Sequence, residues 1–325
     1  MTDWQSVPKV ELHVHLEGAA PPAFIRDLAS QKGVDLGHVF DPKGGYRWQD
    51  FASFLQTYHA ACSVLDGPED FGRLAQAVGR ESRVHGVVYT EMFVCPDICG
   101  GGDAGAWRAH LEAIAEGLEA VEGLEFRLIG TIIRNLGAAR AVEMAKLIAD
   151  VDHPRLAGFC MAGEERFGRA QDYAPAFLLA QEAGLGLTSH AGELVGAPSV
   201  AETLEHLPVS RIGHGVRAIE DPELVAQIAA LGTVLEVCPG SNIALGVFDD
   251  WPSHPIEALR KAGVTVTVST DDPPYFHTDM TSEYQALSET FGWTCADFAQ
   301  INRDAMEAAF CDADTRARIM AQLGG

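Results

Sequence analysis

Eight short apolar runs, alternating with longer amphipathic stretches, predict an α/β fold: a (β/α)8 barrel with extra helices over its C-terminal mouth. Three observations carry this. The alternation implies parallel strands, because neighbours that run the same way need a crossover between them. Eight is the number of strands that closes such a sheet on itself. And the first run is followed by Leu16-Glu17-Gly18-Ala19-Ala20-Pro21-Pro22, without the glycine-rich phosphate loop expected of an open doubly wound sheet.

The first run, Val10–His15, alternates apolar and polar residues with the period of a strand. The next strands are expected over Gly86–Val94, Phe126–Ile133, Leu156–Met161, Leu185–His190, Arg211–His214, Val234–Cys238 and Val264–Thr270. Helical spacing marks Ala106–Val121, Ala138–Ala149, Tyr173–Ala183, Val200–His206, Pro222–Ala230 and Pro255–Ala262. Glycines at 123, 184, 232 and 263 follow several of these, as helix C-caps would. The segment Phe24–Arg83 is longer than one crossover needs. Its Trp48-Gln49-Asp50-Phe51-Ala52-Ser53-Phe54-Leu55 pattern suggests helices laid over the barrel mouth.

The 325 residues are 47% hydrophobic, enough for one large core, and one domain over 1–325 is expected. A net charge of −23 argues against a nucleic-acid backbone or an anionic membrane as partner, since both would repel it. No apolar run is long enough to span a bilayer, and Met1-Thr2-Asp3-Trp4-Gln5 has neither the basic nor the apolar part of an export signal. Seven scattered cysteines, an odd number, fit reduced thiols in a cytoplasmic protein. The oligomeric state is not written in the sequence.

The chemistry lies at the strand ends, the catalytic face of such a barrel. His13 and His15 stand at i and i+2 of the first strand and so point to one face. Two imidazoles side by side are readily explained as ligands of one metal ion. His190 ends the fifth run, His214 the sixth, and Asp271 and Asp272 the eighth. A catalytic zinc wants three or four nitrogen or oxygen ligands and an open position for water, and His13, His15, His190 and Asp271 meet that demand. His214 and Asp272 are placed to act on the water, and Glu193, three residues past His190, to reach the substrate as an acid. The fourth strand, Leu156-Ala157-Gly158-Phe159-Cys160-Met161, has no Lys or Glu to bridge a second metal, so one ion per chain is expected.

These residues resemble the adenosine deaminase family of the metal-dependent amidohydrolase superfamily over nearly the whole chain. The similarity is carried by His13-Val14-His15-Leu16-Glu17-Gly18-Ala19, Met161-Ala162-Gly163-Glu164-Glu165, Ser189-His190-Ala191-Gly192-Glu193 and Arg211-Ile212-Gly213-His214-Gly215. Cys238-Pro239-Gly240-Ser241-Asn242 and Ser269-Thr270-Asp271-Asp272-Pro273 complete it. The resemblance implies that His13, His15, His190 and Asp271 bind Zn2+. It implies that Glu193 protonates purine N1, and that His214 and Asp272 orient and deprotonate the water that displaces ammonia at C6. His15, Glu17, Gly163 and Asp272 would contact the substrate, Gly163 through its N–H to purine N3. Phe51, Phe54 and Leu55 would form an apolar lid.

The same resemblance favours adenosine and 2'-deoxyadenosine as substrates, converted to inosine and 2'-deoxyinosine. Adenine, or a modified adenine nucleoside, is the alternative. Glu17 stands where adenosine deaminases usually carry Asp, and Cys160-Met161-Ala162-Gly163 departs from their usual Asp-Leu-Ala-Gly. Glu at the position of Glu17 also occurs in relatives that deaminate free adenine or other adenine derivatives, whereas Thr270-Asp271-Asp272-Pro273-Pro274-Tyr275-Phe276-His277-Thr278 looks more like the nucleoside branch. The zinc deaminases that edit nucleic acids carry H-x-E with P-C-x-x-C, which is absent here. A lactonase or cyclic amidase would not need Glu193, and a silent nucleoside-binding barrel would not need Glu193, His214 and both aspartates together.

Overall fold

A computed structural model describes residues 2–324. Its strands are β1 (Lys9–His15), β2 (Val87–Val94), β3 (Glu125–Ile133), β4 (Leu156–Ala162), β5 (Gly186–Leu187), β6 (His190–Ala191), β7 (Arg211–His214), β8 (Val234–Val237) and β9 (Val266–Val268). Every strand pair is parallel, in two ladders ordered β1 to β5 and β6 to β9.

The fifth run, expected as one strand, is split in two. The Thr188 N–H donates to Phe159 O (3.1 Å) on one side, while Ser189 O accepts from the Gly213 N–H (2.9 Å) on the other. The chain thus hands the ladder from β4 to β7 in the middle of the run, and His190 opens β6 rather than ending a strand. At the other seam a parallel bridge joins Val14 to Asp271. There the His15 N–H donates to Asp271 O (3.0 Å) and the Asp271 N–H to His13 O (3.1 Å). The last run therefore meets the first, and the eight predicted runs form an α/β barrel.

β9 is shorter than the expected Val264–Thr270 because its end bonds through side chains. The Leu12 N–H donates to Ser269 Oγ (3.2 Å), and Thr270 donates from N–H and Oγ1 to buried Glu11 Oε1 (3.1 and 2.5 Å). The six predicted helices are present, with ends shifted by a few residues at most. Helix Ala104–Glu119 starts where Asp103 accepts from the Ala106 N–H, and Pro222–Leu231 where Asp221 accepts from the N–H groups of Glu223 and Leu224. Three further helices, Met280–Phe291, Cys295–Ala308 and Ala313–Leu323, follow the last strand and have no counterpart in the sequence reading.

The long first insertion holds helices Pro22–Lys32, Phe51–Cys62 and Pro68–Val84. The last of these packs its Phe71, Leu74 and Val78 face into the core beside Ala104–Glu119. Phe51–Cys62 instead lies across the mouth, starting at a reciprocal Asp50–Ser53 cap. Two apolar clusters line the wall outside the barrel. One joins β3 and β4 to the helices between residues 22 and 182; the other joins β7, β8 and β9 to the helices between 197 and 301. No described helix is long and apolar enough to cross a membrane.

Candidate metal centre and active site

The ends of β1, β6, β7 and β9 bring their polar side chains to one point. One ligand atom each from His13, His190, His214 and Asp271 lies within 4.8 Å of the others, and His15, Asp271 and Asp272 form an overlapping group. All four residues expected as metal ligands are therefore together. His15 Nε2 is 3.3 Å from both Asp271 Oδ1 and His190 Nε2, and His13 Nε2 is 3.5 Å from Asp271 Oδ1. His214 stands closer to the ligand group than the sequence suggested, with Nε2 3.9 Å from Asp271 Oδ2 and 3.8 Å from Glu193 Oε2.

The backbone is bent to achieve this. His214 and Asp271 have φ of 60° and 68°, in the left-handed region that ordinary residues avoid. Gly18 lets the Asp272 carboxyl close against the first loop, since any Cβ there would coincide with it. Gly163 has φ of 101°, and a Cβ would sit 2.5 Å from Asn135 Oδ1.

The donor set fits a cation. His13 Nδ1–H donates to Glu236 Oε2 (2.9 Å), and His190 Nδ1–H to Met161 O (3.1 Å). These bonds fix both tautomers and leave an Nε2 lone pair on each ring facing the Asp271 carboxylate. His13 Nε2 is buried without a partner. Burial opposes charge on His13, yet the Asp271 and Glu236 carboxylates outweigh it and hold its basicity above normal, so positive charge is favoured at this spot. Burial and the surrounding imidazoles keep His190 well below the usual histidine range, a neutral ligand. Ser241 Oγ donates to Asp271 Oδ2 (2.7 Å) and orients it. A metal ion at this point would meet imidazole nitrogens and one carboxylate, the chemistry of a catalytic site.

The acid and base candidates are buried beside it. Glu193 is pushed well above the usual carboxylate range by burial, then by the charges of Asp271 and Glu165. Asp272 is raised by burial and by its neighbour Asp271, and its Oδ1 has no partner. Glu193 is held through its backbone. The Glu165 carboxylate accepts from the N–H groups of Gly192, Glu193, Leu194 and Val195 (2.5–3.1 Å) and from Ser199 Oγ.

Below the site lies a buried ionic network absent from the sequence reading. Arg211 Nε donates to Glu236 Oε1 and an Nη to Glu91 Oε2, both at 2.6 Å, and the other Nη to Ala308 O (3.0 Å). Arg211 and the Glu236 behind His13 neutralise one another, and Arg211 and His13 keep Glu236 below its ordinary value against the pull of burial. The signal was legible as charged residues inside otherwise apolar strand runs.

Above the cluster opens a cavity of about 300 Å³, lined by His15, Glu17, Phe51, Phe54, Leu55 and Gly163 among others, with Glu193, His214 and Asp272 in its wall. Every residue expected to touch substrate is thus on this cavity. Glu17 is buried, 3.7 Å from Cys99 Sγ, and burial raises its carboxyl above normal. Phe54 packs edge-on against Tyr275 and beside Phe276. The seven cysteines are all unpaired, and Cys160 Sγ touches His190 Nδ1 at 3.4 Å.

The family model for adenosine deaminase matches residues 8–324. This chain belongs to the adenosine deaminase family. Its similarity to an adenine deaminase of Rhizobium rhizogenes is 50% identity over 318 residues, 97% of this chain and 98% of the relative. Other relatives between 43 and 48% identical carry the name adenine deaminase as well. Among solved structures, the crystal structure of an adenine deaminase from Arthrobacter aurescens superposes with a TM-score of 0.85 at 26% identity, covering 98% of both chains. An amidohydrolase from Burkholderia ambifaria with bound zinc gives 0.85 at 25% identity, covering all of this chain and 93% of that one. Membership in the adenosine deaminase family makes the chain a metal-dependent hydrolytic deaminase of a small purine. The relatives favour the adenine alternative over the adenosine reading.

Proposed function

We propose that this protein converts adenine and water to hypoxanthine and ammonia, with one zinc ion held by His13, His15, His190 and Asp271. The observation that carries the choice of substrate is Glu17. Free adenine has an N9–H, which a nucleoside lacks. A buried carboxyl beside Cys99 offers an acceptor for that hydrogen, protonated or not. The cavity, about 300 Å³, is at the small end of ligand sites (~300–1,000 Å³). The names of the relatives agree with this reading.

When bound, the metal supplies Lewis-acid activation, so that water loses a proton near neutrality. The residues do the rest. Phe51, Phe54 and Leu55 exclude bulk solvent from the base, and the Gly163 N–H donates to N3. Glu193, kept protonated by burial, gives its proton to N1 as the water oxygen bonds to C6. Asp272, whose raised basicity suits a proton acceptor, takes one proton from the water and passes it to the departing amine. The remaining hydroxyl proton returns to Glu193 as the C6 carbonyl forms, which leaves hypoxanthine, ammonia and unchanged enzyme. The seven unpaired thiols suit a reducing compartment such as the cytoplasm.

Adenosine is the second reading, favoured by Pro274-Tyr275-Phe276-His277-Thr278 after Asp272. The test is ammonia release by zinc-loaded protein from adenine, adenosine and 2'-deoxyadenosine, alongside Glu17→Asp. Turnover of adenine alone, weakened by the shorter carboxyl, is expected. Turnover of the nucleosides alone overturns the substrate assignment, and none with any purine overturns the deaminase reading.

A further inference from the structure

His214 does not act alone. The Ile256 N–H, at the start of helix Ile256–Lys261, donates to His254 Nδ1 (3.3 Å), so a neutral His254 carries its proton on Nε2. That nitrogen lies 3.2 Å from Asn242 Oδ1. The orientation of the Asn242 amide is thereby set, and its Nδ2 faces His214 Nδ1, again at 3.2 Å. An amide N–H₂ is a donor only, so His214 Nδ1 must accept. The ring proton then belongs on His214 Nε2. Turning the amide round would place its N–H₂ against His254 Nε2 and force the His254 proton onto Nδ1, against the Ile256 N–H. All three side chains are buried, and burial holds His254 neutral, with its pKa down at about 3.

A second observation points the same way. His214 Nε2 is buried without a hydrogen-bond partner and faces two carboxyl groups, the protonated acid Glu193 (Oε2 at 3.8 Å) and the Asp271 carboxylate (Oδ2 at 3.9 Å). An N–H there is attracted by the ionised Asp271 carboxylate.

We propose that Ile256, His254 and Asn242 form a relay that fixes His214 in the Nε2–H tautomer, so that His214 serves as a hydrogen-bond donor to the attacking water oxygen and not as its base. Asn242 and His254 are positioning residues. The proton of the water then has one buried acceptor left, Asp272. This rests on the deaminase reading above for the identity of the reaction, but the tautomer itself does not.

The experiment is long-range ¹H–¹⁵N correlation on protein labelled with ¹⁵N-histidine, zinc-loaded and zinc-free. A neutral His214 with a protonated Nε2 is expected. Asn242→Asp keeps the shape but replaces the donor with an acceptor, so the proton should move to Nδ1. That variant should lower kcat about 10–100-fold, the usual effect of losing a partner behind a reacting group, with KM nearly unchanged. His254→Gln keeps an N–H for Asn242 and should preserve the tautomer, whereas His254→Phe should not. If the aromatic variant fails to fold, Asn242→Asp and His254→Gln still decide. A proton on Nδ1 in the wild-type protein, or no change in Asn242→Asp, overturns the relay. Protein that shows the Nε2–H tautomer yet deaminates no purine overturns the functional reading and leaves the relay standing.

Discussion

The two sides of the barrel mouth are made of different material. On the side of β1, β6, β7 and β9, the barrel rim carries His13, His15, His190, His214 and Asp271, with His13, Asp271 and His214 braced by the buried Glu236, Ser241 and Asn242. On the side of β2, β3 and β4 they end in Val94, Ile133 and Ala162, and helix Phe51–Cys62 closes over them with Phe51, Phe54 and Leu55. The difference follows from what each side must do. Proton transfer needs groups held to fractions of an ångström, and strand ends tied into a hydrogen-bond ladder give that. A flat aromatic base needs contact area and dryness, which apolar side chains on a helix give without fixed geometry.

This contrast can be broken by substitution, and the sizes should rank. Asp271→Ala removes the carboxylate shared by both ligand groups. Metal analysis should find the zinc content near zero, and ammonia release at background; a variant that keeps its metal would refute the ligand set. Glu193→Gln should keep the metal while kcat falls roughly 10²–10⁴-fold, the range for loss of a general acid. Glu236→Gln retains a hydrogen-bond acceptor for His13 but weakens its basicity, and a chelator competition should read a loss of about 10–100-fold in metal affinity. On the other side, Leu55→Ala should raise KM roughly fivefold, for about 1 kcal/mol of lost apolar contact, with kcat unchanged. If Leu55→Ala instead lowers kcat as Glu193→Gln does, the division between the two sides fails.

The sequence made the strand-end residues legible because polar side chains that close apolar runs violate the simplest pattern of a buried strand. His13, His15, His190, His214 and Asp271 stand out in that way, and the barrel follows from the alternation around them. What lay one layer deeper was harder to read. Glu236 and Glu91 sit inside strands, and their partner Arg211 is 120 residues from Glu91, so only the closed barrel shows them as a pair. Glu165 stands next to Glu164 in the sequence, yet one binds four backbone N–H groups and the other faces solvent more; nothing local distinguishes them. The split of the fifth run was hidden because hydropathy records burial, and both halves are buried. The choice between adenine and adenosine depended on the surroundings of Glu17, which come from residues 58 to 99 in the folded chain.

Arg211 has a consequence for how the chain reaches this state. It joins β7 to Glu91 of β2 and Glu236 of β8, and to the carbonyl of Ala308 far along the chain. A half-formed barrel would leave either the guanidinium or its carboxylates without a counterion in an apolar interior, a penalty of several kcal/mol. Partly assembled forms are therefore disfavoured from both ends. Folding of this barrel should be gated by a late, nearly all-or-none closure that waits for the last hundred residues, rather than by stepwise addition of strands.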